Sequence, residues 1–408
     1  MNPHPLKKVL ILSGPTGVGK TAIAVLLSSL LDGEIISCDS VQIYKELVIG
    51  SNKELGLPVP QHLIDIVSWK EKNFTNADFH SLCLGKIEEI TSRGKIPLLV
   101  GGTGFYTKWI VQGRPSCPPP SKEILAVVDQ MTDNCDWEEA INLLKAVDPE
   151  YAASLYKNDR YRLKRAIANH LQTNQPMSSF KPTKEDMKYD FRCFYLSKDR
   201  PTLSLSIDCR CEKMISNGLL REVGELWLQG LKKDYSAGRA IGYSETIDFI
   251  ESLWVKYSSI TADEQDEFFK TKEVLAKFRN YVDLFKASSR QYSRRQDSWH
   301  KDSEFKWIDG SVLKSKFDSV EMDPLIATST YITRAFNLSR FEWDTSAEFE
   351  EIHKESLSLR WSDTIRKSMK TYQAIAKENL KSIFTCDDTC HATMLDQLKS
   401  VFNKKHTN

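Results

Sequence analysis

Residues 14–21 read GPTGVGKT, between the apolar run VLILS (9–13) and a stretch with Ile23, Leu26, Leu27, Leu30 and Leu31 at helical spacing. A buried strand that ends in glycines and opens a helix admits few folds. It is the phosphate-binding loop of a parallel α/β sheet, related to the P-loop NTPases. The glycines let backbone N–H groups turn onto an anion, and the helix start adds a positive dipole end. Gly14, Thr16, Gly17 and Gly19 form the cradle, and Lys20 places a charge on the phosphates. The Thr21 hydroxyl is the candidate ligand for Mg2+. The loop by itself fits ATP, GTP or a simple diphosphate ester equally well.

The alternation continues for about a hundred residues. EIIS (34–37) and IPLLV (96–100) read as further strands. Between them a helix is expected near 76–93, with Phe79, Leu82, Cys83, Ile87 and Ile90 on one face and Thr75 with Asp78 as its capping box. GRPSCPPPS (113–121) then breaks the pattern, because three consecutive prolines forbid helix. Residues 122–175 read as helices only, FRCFYLS (191–197) returns to the sheet, and FKWID (305–309) looks like a last strand. The expected organisation is a P-loop α/β core over 1–112, an all-helical insertion over 113–188, the second part of the core over 189–310, and a C-terminal extension over 311–408. That extension reads either as packed helices or as partly disordered.

In an open parallel sheet, ligands bind beyond the carboxyl ends of the strands. Asp39, in CDSVQIY (38–44), lies at such an end. GGTGFY (101–106) lies at another, with Thr103 as the hydroxyl among its glycines. Both are expected to face the phosphate loop. Asp39 has three readings on local sequence: metal ligand, proton acceptor or turn cap.

The net charge is only +1, so any polyanion partner must be met by a local basic face. NDRYRLKRA (158–166) puts Arg162 and Arg165 on one helical face. IDCRCEKMISNGLLREV (207–223) places Arg210 on a helix with Met214, followed by Leu219 and Val223. In KASSRQYSRRQDSWH (286–300), Lys286, Arg290 and Arg294 recur every four residues, with Arg295 beside them. Few acids interrupt this stripe, which suits an RNA backbone.

Taken in order, GPTGVGKT, CDSVQIY, QHLID (61–65), GGTGFY, NDRYRLKRA, RCEKMISNGLLREV, AIGYSE (240–245) and SRQYSRRQDSW (289–299) resemble the tRNA dimethylallyltransferases, or tRNA isopentenyltransferases, over roughly residues 8–310. The resemblance implies transfer of a dimethylallyl group from its diphosphate to the exocyclic N6 of adenosine 37, beside the tRNA anticodon. It implies that Lys20, Thr21 and Arg210 grip the diphosphate with Mg2+, that Asp39 is the general base, and that Thr103 lines the reaction channel. It assigns tRNA contacts to Ser40, Gln42, Tyr161, Arg162 and Arg165, and to the basic helix with Lys286, Arg290, Arg294 and Arg295. The implied partners are the anticodon stem-loop and dimethylallyl diphosphate, and the chain is expected to act as a monomer.

An adenylate isopentenyltransferase acting on free AMP, ADP or ATP would share the loop but needs neither the insertion nor a long basic helix. A P-loop kinase would use Asp39 on magnesium or a hydroxyl and leaves GGTGFY unexplained. The tail carries CDDTCH (386–391) and a distant His406, a spacing that argues against a structural zinc. The nine scattered cysteines read as reduced intracellular thiols, no run is long enough to span a membrane, and only MNPHPL precedes the first strand. No signal or transit segment is therefore expected, and the cytoplasm is the expected compartment, an organelle being the alternative.

Overall fold

The computed structural model describes residues 6–72, 74–180, 188–301, 303–316, 323–361 and 388–407. The chain divides into two compact units, one of Met1–Thr107 with Lys188–Asn408 and one of Lys108–Met187.

The larger unit carries a parallel sheet of β1 (Lys7–Ser13), β2 (Gly33–Ser37), β3 (Gln61–His62), β4 (Ile96–Val100), β5 (Tyr189–Ser197) and β6 (Lys306–Asp309), in the order β3-β2-β4-β1-β5-β6. Val9 through Leu12 are all 0% exposed, so both faces of β1 are covered and the strand reads as continuous rather than alternating. α1 (Lys20–Leu31) packs on β1, β2 and β4. Its buried face is Ile23, Ala24, Leu27 and Ser28; Leu30, expected in that face, is exposed. α2 (Asn76–Ser92) has the expected cap: Asp78 N donates to Thr75 Oγ1 (3.3 Å) and Thr75 N donates to Asp78 Oδ2 (2.8 Å). Leu82 is exposed there, a second departure from the expected face.

α3 (Gly104–Gln112) follows β4. The smaller unit is helical: α4 (Lys122–Thr132), α5 (Trp137–Val147), α6 (Pro149–Ser154) and α7 (Arg160–Thr173) close around Val128, Ile141, Leu144, Leu163 and Ile167.

Back in the larger unit come α8 (Arg200–Ser216) and α9 (Leu219–Leu228). The sequence ran these together; Gly218, at φ 110°, separates them because a residue with a Cβ rarely adopts that conformation. α10 (Tyr243–Tyr257), α11 (Ala262–Phe268) and the long α12 (Lys272–His300) follow. The described part of the C-terminal extension is helical and built into this unit: α13 (Gly310–Lys316), α14 (Pro324–Asn337), α15 (Arg340–Thr345), α16 (Ala347–Trp361) and α17 (Asp388–Thr407). α14 packs on α1, α16 on β6 and α17 on α9. Phe402 of α17 is fully buried, with its ring centroid 5.3 Å from Trp254 and 5.0 Å from Tyr257.

The seven cysteines whose side chains are described are free thiols. The zinc question raised by Cys386, Cys390 and His406 lies outside the described residues or side chains. No helix among the described residues is long and apolar enough to cross a membrane.

Candidate active site

A cavity of about 640 Å³ opens at the carboxyl ends of β1, β2 and β4. Three loops leave these strands together: the phosphate loop after β1, CDSVQIY after β2 and GGTGFY after β4.

The phosphate loop contributes Thr16, Gly17, Gly19, Lys20 and Thr21 to the lining. Gly17 sits at φ 81°, and a Cβ there would lie 2.9 Å from the Ile207 side chain. Lys20 Nζ donates to the carbonyls of Gly14 (2.8 Å) and Pro15 (2.9 Å). Arg210, from α8, donates through Nη1 to Thr16 Oγ1, and its buried Nε has no partner. Burial, with the Arg210 guanidinium adding to it, draws the Lys20 amine down to about 7; burial also lowers Arg210. Two cations and an orphaned guanidinium N–H at the start of α1 suit an anion. Gly14 does not line the cavity, and the Thr16 amide donates to Gln296 Oε1 (2.9 Å). The Thr16 amide is thus taken by Gln296, while the residue itself stays in the lining of the cavity.

Asp39 lines the same cavity, near enough for its charge to favour the cationic forms of Lys20 and Arg210. Its Oδ1 accepts from Val41 N (2.8 Å) and Gln42 N (3.2 Å), so the turn-cap role is real. Its Oδ2 accepts no hydrogen bond among the described residues. One carboxylate thus holds its own loop with one oxygen and offers the other. Thr103 is not in the lining. Its Oγ1 accepts from Ser40 N (3.1 Å) and bonds Tyr292, so it braces the Asp39 loop from behind. The expectation that Thr103 lines the channel is corrected accordingly. Ser40 and Gln42 do line the cavity.

α12 closes the site, but not as a bare cationic stripe. Lys286 is only 3% exposed and pairs with Glu212; Arg290 pairs with Asp208, which is 1% exposed. Both acids stand on α8, far away in sequence, which is why reading α12 alone showed no partner. Lys286 and Arg290 bolt α12 to α8 and are withdrawn as phosphate contacts. Arg294 and Arg295 are exposed, and Arg295 lines the cavity. Replacing Lys286 by Met is expected to leave Glu212 unpaired and to cost roughly 3 kcal/mol of stability, read as a fall in denaturation midpoint. An unchanged midpoint would contradict this placement.

The sequence missed the central work of Gln296. Its Oε1 takes the Thr16 amide and its Nε2 donates to the Gly102 carbonyl (2.9 Å), tying the phosphate loop to GGTGFY. A Cβ on Gly102 would lie 2.1 Å from Gln296 Nε2, so only glycine permits this approach. One turn on, His300 Nδ1 donates to the Gln296 carbonyl (2.9 Å), leaving Nε2 to accept from the Ser13 hydroxyl (3.2 Å). Burial lowers His300 to about 4. Against the ordinary value near 6.5, the unfolded chain protonates first as pH falls. The stability from this neutral imidazole is complete above about 6.5 and is lost towards 4, about 3 kcal/mol in all. Urea midpoints between pH 7 and 5 are expected to fall less steeply for His300→Gln than for the unsubstituted chain; parallel profiles would contradict the assignment.

Ile207, Met214, Phe285 and Ile241 give the cavity apolar lining. None was singled out from sequence as a site residue. Tyr161, Arg162 and Arg165 stand on α7 of the smaller unit; Tyr161 is 71% exposed, and Arg165 Nη1 donates to its hydroxyl (3.2 Å). Among the described residues no cluster of three His, Cys, Asp or Glu side chains could hold a metal on its own. A cation that keeps its waters and is shared with substrate phosphates suits Thr21 here, and Mg2+ behaves in that way.

The family description "IPP transferase" matches residues 42–303, and "isopentenyl transferase" matches residues 7–65. The chain is 33% identical over 309 residues to the "tRNA dimethylallyltransferase" of Protochlamydia amoebophila, covering 74% of this chain and 84% of that one. It is 32% identical over 364 residues to the "tRNA dimethylallyltransferase 9" of Arabidopsis thaliana, covering 78% and 75%. Among solved structures, the tRNA isopentenylpyrophosphate transferase of Bacillus halodurans aligns with a TM-score of 0.52 at 27% identity, over 86% of this chain and 99% of that one. A eukaryotic dimethylallyltransferase acting on tRNA shares the fold, with a TM-score of 0.56 at 23% identity, over 88% and 81%.

Proposed function

The chain belongs to the IPP transferase family, and from that premise we infer that it transfers a dimethylallyl group from dimethylallyl diphosphate to N6 of adenosine 37 in tRNA, releasing diphosphate. The observation that carries this reading is the make-up of one cavity: cations and helix-start amides, apolar lining, and a carboxylate oxygen without a hydrogen-bond partner among the described residues.

The donor's diphosphate takes the place now held by the Gly14 and Pro15 carbonyls at Lys20 Nζ, and it meets Arg210 Nε. Its short apolar chain lies along Ile207, Met214 and Phe285. Bound at Thr21, Mg2+ supplies further neutralisation of the leaving charge. Adenine N6 forms its bond to the allylic C1 as the C1–O bond to diphosphate breaks. The N6 proton passes to Asp39 Oδ2, since an exocyclic amine is too weak a nucleophile to react without losing it. Lys20 and Arg210 stabilise the diphosphate as its charge grows. The reacting base must leave its stack, which costs little in a single-stranded loop.

Arg294 and Arg295 in the larger unit, and Tyr161, Arg162 and Arg165 in the smaller one, bind the anticodon stem-loop through its phosphates. Replacing Arg294 and Arg295 together by Gln is expected to weaken tRNA binding and to lower the slope of log affinity against log salt by about one to two. A salt slope equal to the unsubstituted chain's would remove them from the interface. We take the chain to act as a monomer in the cytoplasm.

The acceptor is tested by incubating the chain with Mg2+, labelled dimethylallyl diphosphate, and either unmodified tRNA or AMP. Label on the tRNA that disappears when adenosine 37 is replaced by guanosine is the expected result. Label on AMP alone would make this an adenylate isopentenyltransferase.

A further inference from the structure

We propose that Glu222, seconded by Tyr243, is a positioning residue for Asp39, acting through the loop at residues 48–52. This assignment rests on the prenyl-transfer reading above. Glu222 stands in the first turn of α9, outside the cavity lining. Its carboxylate accepts from three successive amides: Val48 N (3.1 Å), Ile49 N (2.7 Å) and Gly50 N (3.1 Å). Tyr243, which is 0% exposed, donates its phenol to Oε1 (2.6 Å). The Tyr243 ring also lies against Gly50, where a Cβ would come within 2.5 Å of it. Four donors converge on one carboxylate, and the aromatic ring lies against the glycine, so the loop is held at both points.

The loop passes that position on. Gln42 Nε2 donates to the carbonyls of Ser51 (3.3 Å) and Asn52 (3.5 Å), while its Oε1 accepts from Ser37 Oγ (3.0 Å). The Gln42 backbone N–H is one of the two donors that hold Asp39 Oδ1 (3.2 Å). Gly50, Ser51, Asn52, Gln42 and Asp39 all line the cavity, while Val48 and Ile49 lie outside the lining. The chain of contacts joins two motifs that the sequence could only place side by side: the LLREV segment carries the carboxylate and AIGYSE carries the phenol. A carboxylate whose free oxygen must meet one proton is sensitive to displacement, since a shift of about 1 Å can cost 10²-fold in rate.

The test is a double-mutant cycle. Glu222→Gln keeps the size of the side chain but replaces one accepting oxygen with a donor that faces amides; Tyr243→Phe removes only the phenol and keeps the ring under Gly50. Single-turnover transfer to tRNA is measured with both substrates saturating, together with tRNA affinity. Glu222→Gln is expected to lower the rate by about 10- to 100-fold, and Tyr243→Phe by less, with donor KM within about twofold. In an Asp39→Asn background the same substitutions are expected to have almost no further effect, because the group they position is gone. A merely structural role would lower the rate by the same factor in both backgrounds, and that result overturns the proposal. So does an unchanged rate in both single variants. Absence of transfer by the unsubstituted chain overturns the prenyl-transfer reading, and this assignment with it.

Discussion

Replacing Asp39 by Asn is expected to lower the rate of prenyl transfer by ~10²- to 10⁴-fold while tRNA affinity stays within about twofold. Asn is the informative substitution because Asp39 has two tasks. Its Oδ1 accepts from Val41 N and Gln42 N, and an amide oxygen can keep both bonds. The NH2 that replaces Oδ2 cannot take a proton. Asp39→Ala is expected to lose the same chemistry and the turn as well, so Ser40 and Gln42 shift and tRNA binding weakens too. The pair of variants separates base from cap. Rates are read by single turnover with saturating donor, and affinity by filter binding. An Asn variant that transfers at the native rate would leave Asp39 only its turn.

Replacing Lys20 by Met is expected to lower kcat/KM by ~10²- to 10³-fold, through loss of charge at the leaving group. The burial that lowers Lys20 to about 7 gives this prediction a second readout. Unliganded, the folded chain gives up this proton more readily than the unfolded one. The cost of burying the charge is therefore present in full below pH 7 and is relieved as pH rises towards the ordinary value of 10.5. Lys20→Met without ligand is accordingly expected to be no less stable at pH 7 than the unsubstituted chain. An arriving diphosphate restores the favourable charge, so at pH 8 the unsubstituted chain takes up a proton as it binds a non-reacting diphosphate analogue of the donor. Calorimetry in two buffers of different ionisation enthalpy measures that proton. The uptake is expected to be smaller in Lys20→Met; equal uptake would place the titrating group elsewhere.

What could be read from the sequence was what local chemistry decides. The strand before GPTGVGKT, the Thr75–Asp78 capping box and the final strand all follow from side chains within a few residues of each other. Asp39 and Lys20 were legible as residues of one site because parallel strands all point their carboxyl ends to one rim. What escaped was decided by partners far along the chain. Lys286 and Arg290 looked like a phosphate stripe because Glu212 and Asp208 stand on another helix. Gln296 looked like one more polar residue in that stripe, yet it joins two loops through Thr16 and Gly102. β3 is two residues long and carries no periodicity to detect. Thr103 was expected in the channel from its place among glycines, but only the packed loop shows its hydroxyl turned to Ser40.

The most direct measurement is a nucleoside digest of tRNA after one reaction. Unmodified tRNA is incubated with the chain, Mg2+, dimethylallyl diphosphate and ATP together, and both the nucleosides and the released phosphates are identified by mass. The expected result is N6-dimethylallyladenosine from position 37, with one diphosphate released per transfer and ATP untouched. Unmodified adenosine at that position, with ATP hydrolysed or its terminal phosphate transferred, would mean that the phosphate loop serves a nucleotide, and prenyl transfer by this chain would be contradicted.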